Sequence, residues 1–219
     1  MFNDTSFAGS PAELRPDIDV LHGTSPRGFH LVTLDRDDAR REAAEQFVAR
    51  GFLRSHRACI RSFLPRLVAL TDASGDVQGV VGCRRADEEP LFLERYLDSP
   101  VEEILASRWG IAVSRAQIVE IGNFACRSAA VARRFMSLLP RYLLDEGTLW
   151  IAFTATRAVR GLIRESGARP LELAAARPDR VAGTADEWGR YYETDPRVMA
   201  GYLPLARGFR ALWQSLDDT

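Results

Sequence analysis

The chain has 219 residues, 46% apolar and 27% charged, with a formal net charge of −1; this is the profile of one soluble globular domain with a single substantial core. All 29 basic residues are arginine, which excludes a Schiff-base lysine, a lysine general base and a phosphate-loop lysine. The near-zero charge offers no footprint for nucleic acid or an anionic membrane, and no apolar run reaches the ~18 residues of a membrane span.

Residues 1–27, rich in Ser, Pro, Gly and Asp, read as a flexible arm ahead of a single domain over 28–219. The arm lacks a basic n-region and an apolar h-region, so no signal peptide is expected. "GFHLVTLD" alternates as a strand should. "RDDARREAAEQFVARGFLRSHRA" is helical, with Gly51 expected to break it in two. "LPRLVALTDASGDVQGVVGCRRA" is a hairpin around "DASGD". "EPLFLERYLDSPVEEILA" leads into a short helix, with Asp98 or Ser99 as cap, Pro100 in the first turn, and Glu102 and Glu103 at the dipole's positive end.

"QIVEIGNFAC" reads as a strand. "SAAVARRFMSLLPRYLLDEG" reads as a helix ending at Gly147 and kinked or split by Pro140. "LWIAFTAT" is a buried strand, "RAVRGLIRESG" a helix, "ARPLELA" a strand, and "WGRYYETDPRVMAGYLPL" an aromatic, turn-rich close. The order β-α-β-β-(α)-β-α-β-α-β predicts a mixed α/β (α+β) fold, one central mixed β-sheet with helices on both faces.

Cys59, Cys83 and Cys126 are scattered without CxxC spacing, which fits a reducing, cytoplasmic location. His22, His30 and His56 make no ligand spacing, so no metal site is expected. Glu120 is a lone carboxylate in an apolar strand. It shares a face with Ile118 and Gly122, while Val119 and Ile121 point the other way. Burial there raises its pKa toward that of a useful base, and pairing with an arginine is the competing structural role. Thr154 and Thr156 lie on one face of their strand. Cys126 reads as a small buried thiol or a nucleophile. The helix over 128–144 carries Val131, Phe135, Leu138, Leu139 and Tyr142 on one side and arginines elsewhere, a pattern for core packing or for a membrane interface.

"IVEIGNFACRS" followed by a helix, then "FTAT" and a helix ending in Gly, resembles the core of the GNAT acyltransferases, most closely their acyl-homoserine-lactone synthase branch. "LFLERYLDSPVE", "VEIGNFA", "WIAFTAT" and "WGRYYETDPRVMAG", together spanning residues ~30–205, resemble the thermostable hemolysin family, whose name records a lytic phenotype. The resemblance implies a GNAT-like N-acyltransferase. It would move a fatty acyl group from an acyl carrier protein phosphopantetheine or coenzyme A thioester to a small amine or amino acid, with no tightly bound cofactor. It places catalysis at Glu120, with Asn123 of the adjoining turn. Donor binding falls at Phe124, Ala125, Cys126, Arg127, Ala130, Ala132, Arg133, Thr154 and Thr156. The family's phosphate-binding turn, Gln/Arg-x-x-Gly-x-Gly/Ala, is only partly kept: Arg127 and Ala132 match, and Ala130 replaces the first glycine. That departure leaves room for a carrier protein, which Arg127, Arg133 and Arg134 would face. Arg84, Arg85, Glu94, Tyr96, Asp98, Trp188 and Tyr192 are the candidates for holding a polar acceptor. Two other readings stand beside this one: a membrane-active cytolysin without enzymatic activity, and a non-catalytic thioester-binding module.

Overall fold

A computed structural model describes residues 28–181 and 185–208 of the chain; the arm expected over 1–27 lies outside them. Strands β1 (His30–Leu34), β2 (Arg66–Thr71), β3 (Val77–Arg85), β4 (Ile118–Cys126), β5 (Trp150–Ala155), β6 (Leu171–Ala175) and β7 (Arg197–Tyr202) form one sheet, ordered β1-β2-β3-β4-β5-β7-β6. Every neighbouring pair is antiparallel except β4–β5, which is parallel. The parallel pair needs a crossover, and the helix after β4 supplies it.

Helices α1 (Arg41–His56) and α3 (Ala129–Asp145) cover opposite faces of the sheet, while α2 (Val101–Trp109) and α4 (Arg157–Glu165) complete the two layers. Alternation along β2 separates the faces: Leu67 and Ala69 pack with Ala44, Phe47 and Val48 of α1, whereas Val68 and Leu70 pack with Phe135, Leu139 and Leu143 of α3. Beneath α2 the core is Ile118, Trp150, Ala152 and Ala200. The amphipathic face of α3 is therefore core. Phe135 is fully buried, and burying such a side chain stabilises by roughly 1.5–3 kcal/mol.

Four expectations need correction. Helix α1 runs unbroken through Gly51. A Cβ there would meet the Ala125 Cβ at 2.9 Å, so the glycine lets the helix lie close on β4. Helix α3 is continuous through Pro140. Neither Asp98 nor Ser99 caps α2. Pro100 is the N-cap residue, and the Val101 N–H goes instead to Glu94 Oε1 at 3.1 Å. Finally, "RVMAGY" is a strand, β7, inserted between β5 and β6.

Candidate active site

The sheet is irregular where the lone glutamate lies. Between the Val80–Ala125 and Gly82–Gly122 pairs, one residue of β3 faces two of β4, Asn123 and Phe124. This is a β-bulge, and Asn123 takes its left-handed conformation at φ 50°. An asparagine tolerates that backbone because its short amide bonds locally. Here Asn123 Oδ1 accepts from the Leu64 N–H at 2.8 Å and Nδ2 donates to the Ser62 carbonyl at 3.4 Å. Gly82 leaves room for this, since a Cβ on it would stand 2.7 Å from Asn123 Oδ1. The parallel pairing of β4 with β5 stops at Ile121–Phe153, and beyond it the two strands part.

Glu120, in the paired part of β4, is 4% exposed. Its Oε2 accepts the Phe92 N–H at 2.9 Å and its Oε1 the Leu93 N–H at 2.8 Å. Those amides open a 3-10 turn over Phe92–Tyr96. Arg84, its register partner on β3, brings Nη1 to 3.8 Å from Oε2, and that same Nη1 donates to the Pro90 carbonyl at 3.0 Å. Burial raises the Glu120 pKa above its ordinary 4.5, while the two amides and then Arg84 pull against it.

The opening between β4 and β5 leads into a cavity of about 750 Å³ with walls on both sides of the sheet. On the α1/α2 side the lining includes Phe52, His56, Phe92, Tyr96, Trp188 and Tyr191, beside Arg84 and Glu120. On the α3/α4 side it includes Ile121, Leu139, Ile151, Phe153, Val159 and Ile163. The first wall is a nest of rings. Trp188 stands 5.8 Å from Phe92, 6.3 Å from Phe52 and 5.1 Å from Tyr191, centroid to centroid. The Tyr96 and Tyr192 hydroxyls share a hydrogen bond of 2.8 Å. Burial pushes the Tyr96 pKa far above its usual range, so it remains a protonated phenol.

The segment carrying Trp188 is laced to the end of α1. The Cys59 N–H donates to the Glu187 carbonyl at 2.8 Å, and the Arg190 N–H to the His56 carbonyl at 2.7 Å. Gly189, at φ 51°, packs so closely that a methyl group on it would land on the His56 and Arg57 carbonyl oxygens.

Of the residues singled out from the sequence, Glu120, Asn123, Phe124, Thr154, Thr156, Arg84, Tyr96 and Trp188 line this cavity. Thr156 also caps α4, accepting the Val159 N–H at 3.3 Å. The others lie elsewhere. Glu94 is held by Arg115 at 2.8 Å and by the Leu91 and Val101 N–H groups. Burial alone would raise its pKa, and these partners outweigh that and lower it. Ala125 packs beneath α1. Cys126 lies against Gly79, and burial pushes its thiol up to about 12, which leaves no thiolate near neutrality. Arg127 Nε donates to the Val77 carbonyl at 2.8 Å, Ala132 is buried, and Ala130 is exposed at the start of α3. Arg133 pairs with Glu165 at 2.8 Å. Tyr192 supports Tyr96 from behind. Asp98 pairs with Arg180 at 2.6 Å, and Arg85 with Asp87 at 3.2 Å. Sequence reasoning missed Phe52, His56 and Phe92 as wall residues, while Tyr191 belongs to a cluster with Trp188 and Tyr192 that reads as a pocket lining or as the cover of a core edge. The aromatic cluster in "WGRYYE" was the one signal for that wall. Among the described residues, no helix is long and apolar enough to cross a membrane, and no cluster of His, Cys, Asp and Glu is placed to hold a metal ion.

Several solved structures are similar to this chain at low identity. LasI, an acyl-homoserine lactone synthase, aligns with a TM-score of 0.52 at 13% identity, over 80% of this chain and 91% of its own. FeeM, an N-acyl amino acid synthase from uncultured soil microbes, aligns with a TM-score of 0.57 at 14% identity, over 82% and 93%. MesI, a CoA-dependent acyl-homoserine lactone synthase, aligns with a TM-score of 0.52 at 19% identity, over 85% and 95%. These neighbours are acyl-transferring synthases, and the shared architecture is GNAT-like. No curated protein matches the sequence. The family model described as Thermostable hemolysin matches residues 34–207, and the chain belongs to that family.

Proposed function

We propose that the protein is an N-acyltransferase that moves a fatty acyl chain from a thioester to the amine of a small acceptor. The observation that carries this reading is the cavity of about 750 Å³ with a buried carboxylate on one wall and an apolar channel on the other. Mostly apolar cavities of this size with a few placed polar groups suit organic ligands. An acyl chain lies along Leu139, Ile151, Phe153, Val159 and Ile163, and the acceptor lies against the ring-lined wall. The thioester carbonyl sits between them, where β4 and β5 part.

In this reading Glu120 takes the proton from the attacking amine. A positioned base contributes typically ~10²–10⁴-fold. The amine nitrogen bonds to the thioester carbon, the carbon–sulfur bond breaks, and the proton lost by nitrogen balances the one gained by the departing thiol. Each Glu120 oxygen already accepts one backbone N–H, which fixes the carboxylate and leaves each oxygen a second lone pair. Asn123 acts by bracing the loop over 58–64 against the bulge.

The donor is an acyl carrier protein or coenzyme A. Arg127 is bound to the Val77 carbonyl and an alanine stands at position 130, so the start of α3 offers a diphosphate less than a glycine turn would. This favours the carrier protein, whose pantetheine brings no nucleotide, although MesI is described as CoA-dependent. A lytic phenotype is compatible with this chemistry, because an acylated amphiphile can itself lyse membranes. The test is incubation of the purified protein with dodecanoyl carrier protein or dodecanoyl-coenzyme A and a mixture of amines, with products read by mass spectrometry. An N-dodecanoyl amide formed only with protein, thioester and amine together is expected. Its absence with both donors refutes the proposal.

A further inference from the structure

His56 has no part in the scheme above, yet its ring lines the same cavity. It is the last residue of α1. Edge contacts to Phe52 at 5.7 Å and Tyr191 at 5.3 Å fix the ring, and its carbonyl anchors the Arg190 N–H. The residue is half-buried, but its Nδ1 is shielded from solvent and has no hydrogen-bond partner among the described residues. A neutral imidazole carries one N–H and one bare lone pair. Burying an unsatisfied N–H costs more than burying a lone pair against ring edges. The proton therefore sits on Nε2, the other ring nitrogen. Burial lowers the His56 pKa below 6.5, so the ring is this neutral donor at pH 7.

Of the other donors on this wall, Arg84 and Tyr96 already have protein partners, although Arg84 Nε is shielded without a hydrogen bond. Arg84 lies between two carboxylates, 3.4 Å from Glu89 and 3.8 Å from Glu120, and donates to the Pro90 carbonyl. The Tyr96 hydroxyl is bonded to Tyr192. Glu120 presents negative charge to an ammonium group, and Phe52, Phe92, Trp188 and Tyr191 present ring surfaces between the two polar ends.

We infer that His56 donates through Nε2–H to a carboxylate on the ligand of this wall, which makes that ligand an amino acid with an apolar side chain. The inference rests on the acyl-transfer reading only in calling that ligand the acceptor. Calorimetric titration of the full chain with phenylalanine and with phenethylamine, the same skeleton without the carboxylate, tests it without turnover. The hydrogen bond predicts at least about tenfold tighter binding of phenylalanine by the wild type, the range expected for a bond to a charged group. His56→Phe is expected to erase that preference with phenethylamine binding unchanged, and His56→Gln, which keeps a donor, to restore part of it. Equal binding of the two ligands by the wild type, no binding of phenylalanine, or a preference that survives His56→Phe overturns the inference. A preference lost in Arg84→Gln and retained in both His56 variants does the same. Phenylalanine binding without acyl transfer would remove the proposed function and leave this inference standing. Acyl transfer with no carboxylate preference would do the reverse.

Discussion

Arg84 and Glu120 face each other across β3 and β4 as register partners, yet it is not the arginine that holds the carboxylate. Arg84 Nη1 and Glu120 Oε2 are 3.8 Å apart, beyond hydrogen-bond range. The Phe92 and Leu93 amides bind Glu120 at 2.9 and 2.8 Å. The arginine tunes the charge and the amides fix the position.

Replacing Arg84 with glutamine removes a charge that lowers the Glu120 pKa. Burial already raises the Glu120 pKa above 4.5, so the acid limb of kcat/KM should move to higher pH in this variant, because a base with a raised pKa is lost sooner as pH falls. Activity on the alkaline side of that limb should be nearly preserved. A pH–rate profile with an unmoved acid limb would exclude Glu120 as the titrating group.

Gly82→Ala should damage the bulge. The new methyl meets Asn123 Oδ1 at 2.7 Å and the Leu64 Cβ at 2.9 Å, and overpacking of this kind costs typically about 1–3 kcal/mol. The Leu64 amide, released from Asn123, should exchange its hydrogen faster. Hydrogen exchange and urea unfolding check both effects, and unchanged protection of Leu64 would contradict the bracing role.

Gly189→Ala should detach the Trp188 segment. The residue is at φ 51° and packs on the His56 and Arg57 carbonyls, so the substitution combines backbone strain with a backbone clash. A red-shifted tryptophan emission and a loss of about 1–3 kcal/mol are expected. Wild-type emission and stability in this variant would mean that the segment is not anchored there.

The strands and helices were mostly legible because their periodicities are simple. β7 was not, since Val198, Met199 and Ala200 are buried in succession, as a strand covered on both faces requires, and "RVMAGY" follows an aromatic, turn-rich stretch. Gly51 and Pro140 carry ordinary breaker signals. At Gly51 a tertiary contact decides otherwise, and the Cβ it lacks is the space Ala125 fills. Glu120 stood out as a charge in an apolar strand. Glu94 reads in the sequence as an acceptor contact, because nothing local distinguishes a carboxylate facing a cavity from one gripped by Arg115. The ends that carry His56 and Trp188 are tied by the Cys59–Glu187 and His56–Arg190 backbone bonds, which leave no trace in side-chain pattern.

His56 makes a prediction about stability. Its folded pKa lies below 6.5 because burial disfavours the charged ring. Protonation therefore favours the unfolded chain, and this contribution is present above pH 6.5 and lost as pH falls from there through the folded pKa. In urea unfolding, the stability of the wild type relative to His56→Phe should decline across that window. A difference independent of pH would show that the imidazole does not titrate in a desolvated site.

Amine-dependent thiol release from an acyl thioester, measured for the wild type and for Glu120→Gln with the fold of each checked by circular dichroism, decides whether Glu120 is the base of an acyl transfer. Release is expected to require the amine and to fall ~10²–10⁴-fold in the folded variant. Release that ignores the amine, or proceeds at the wild-type rate in Glu120→Gln, would contradict that role.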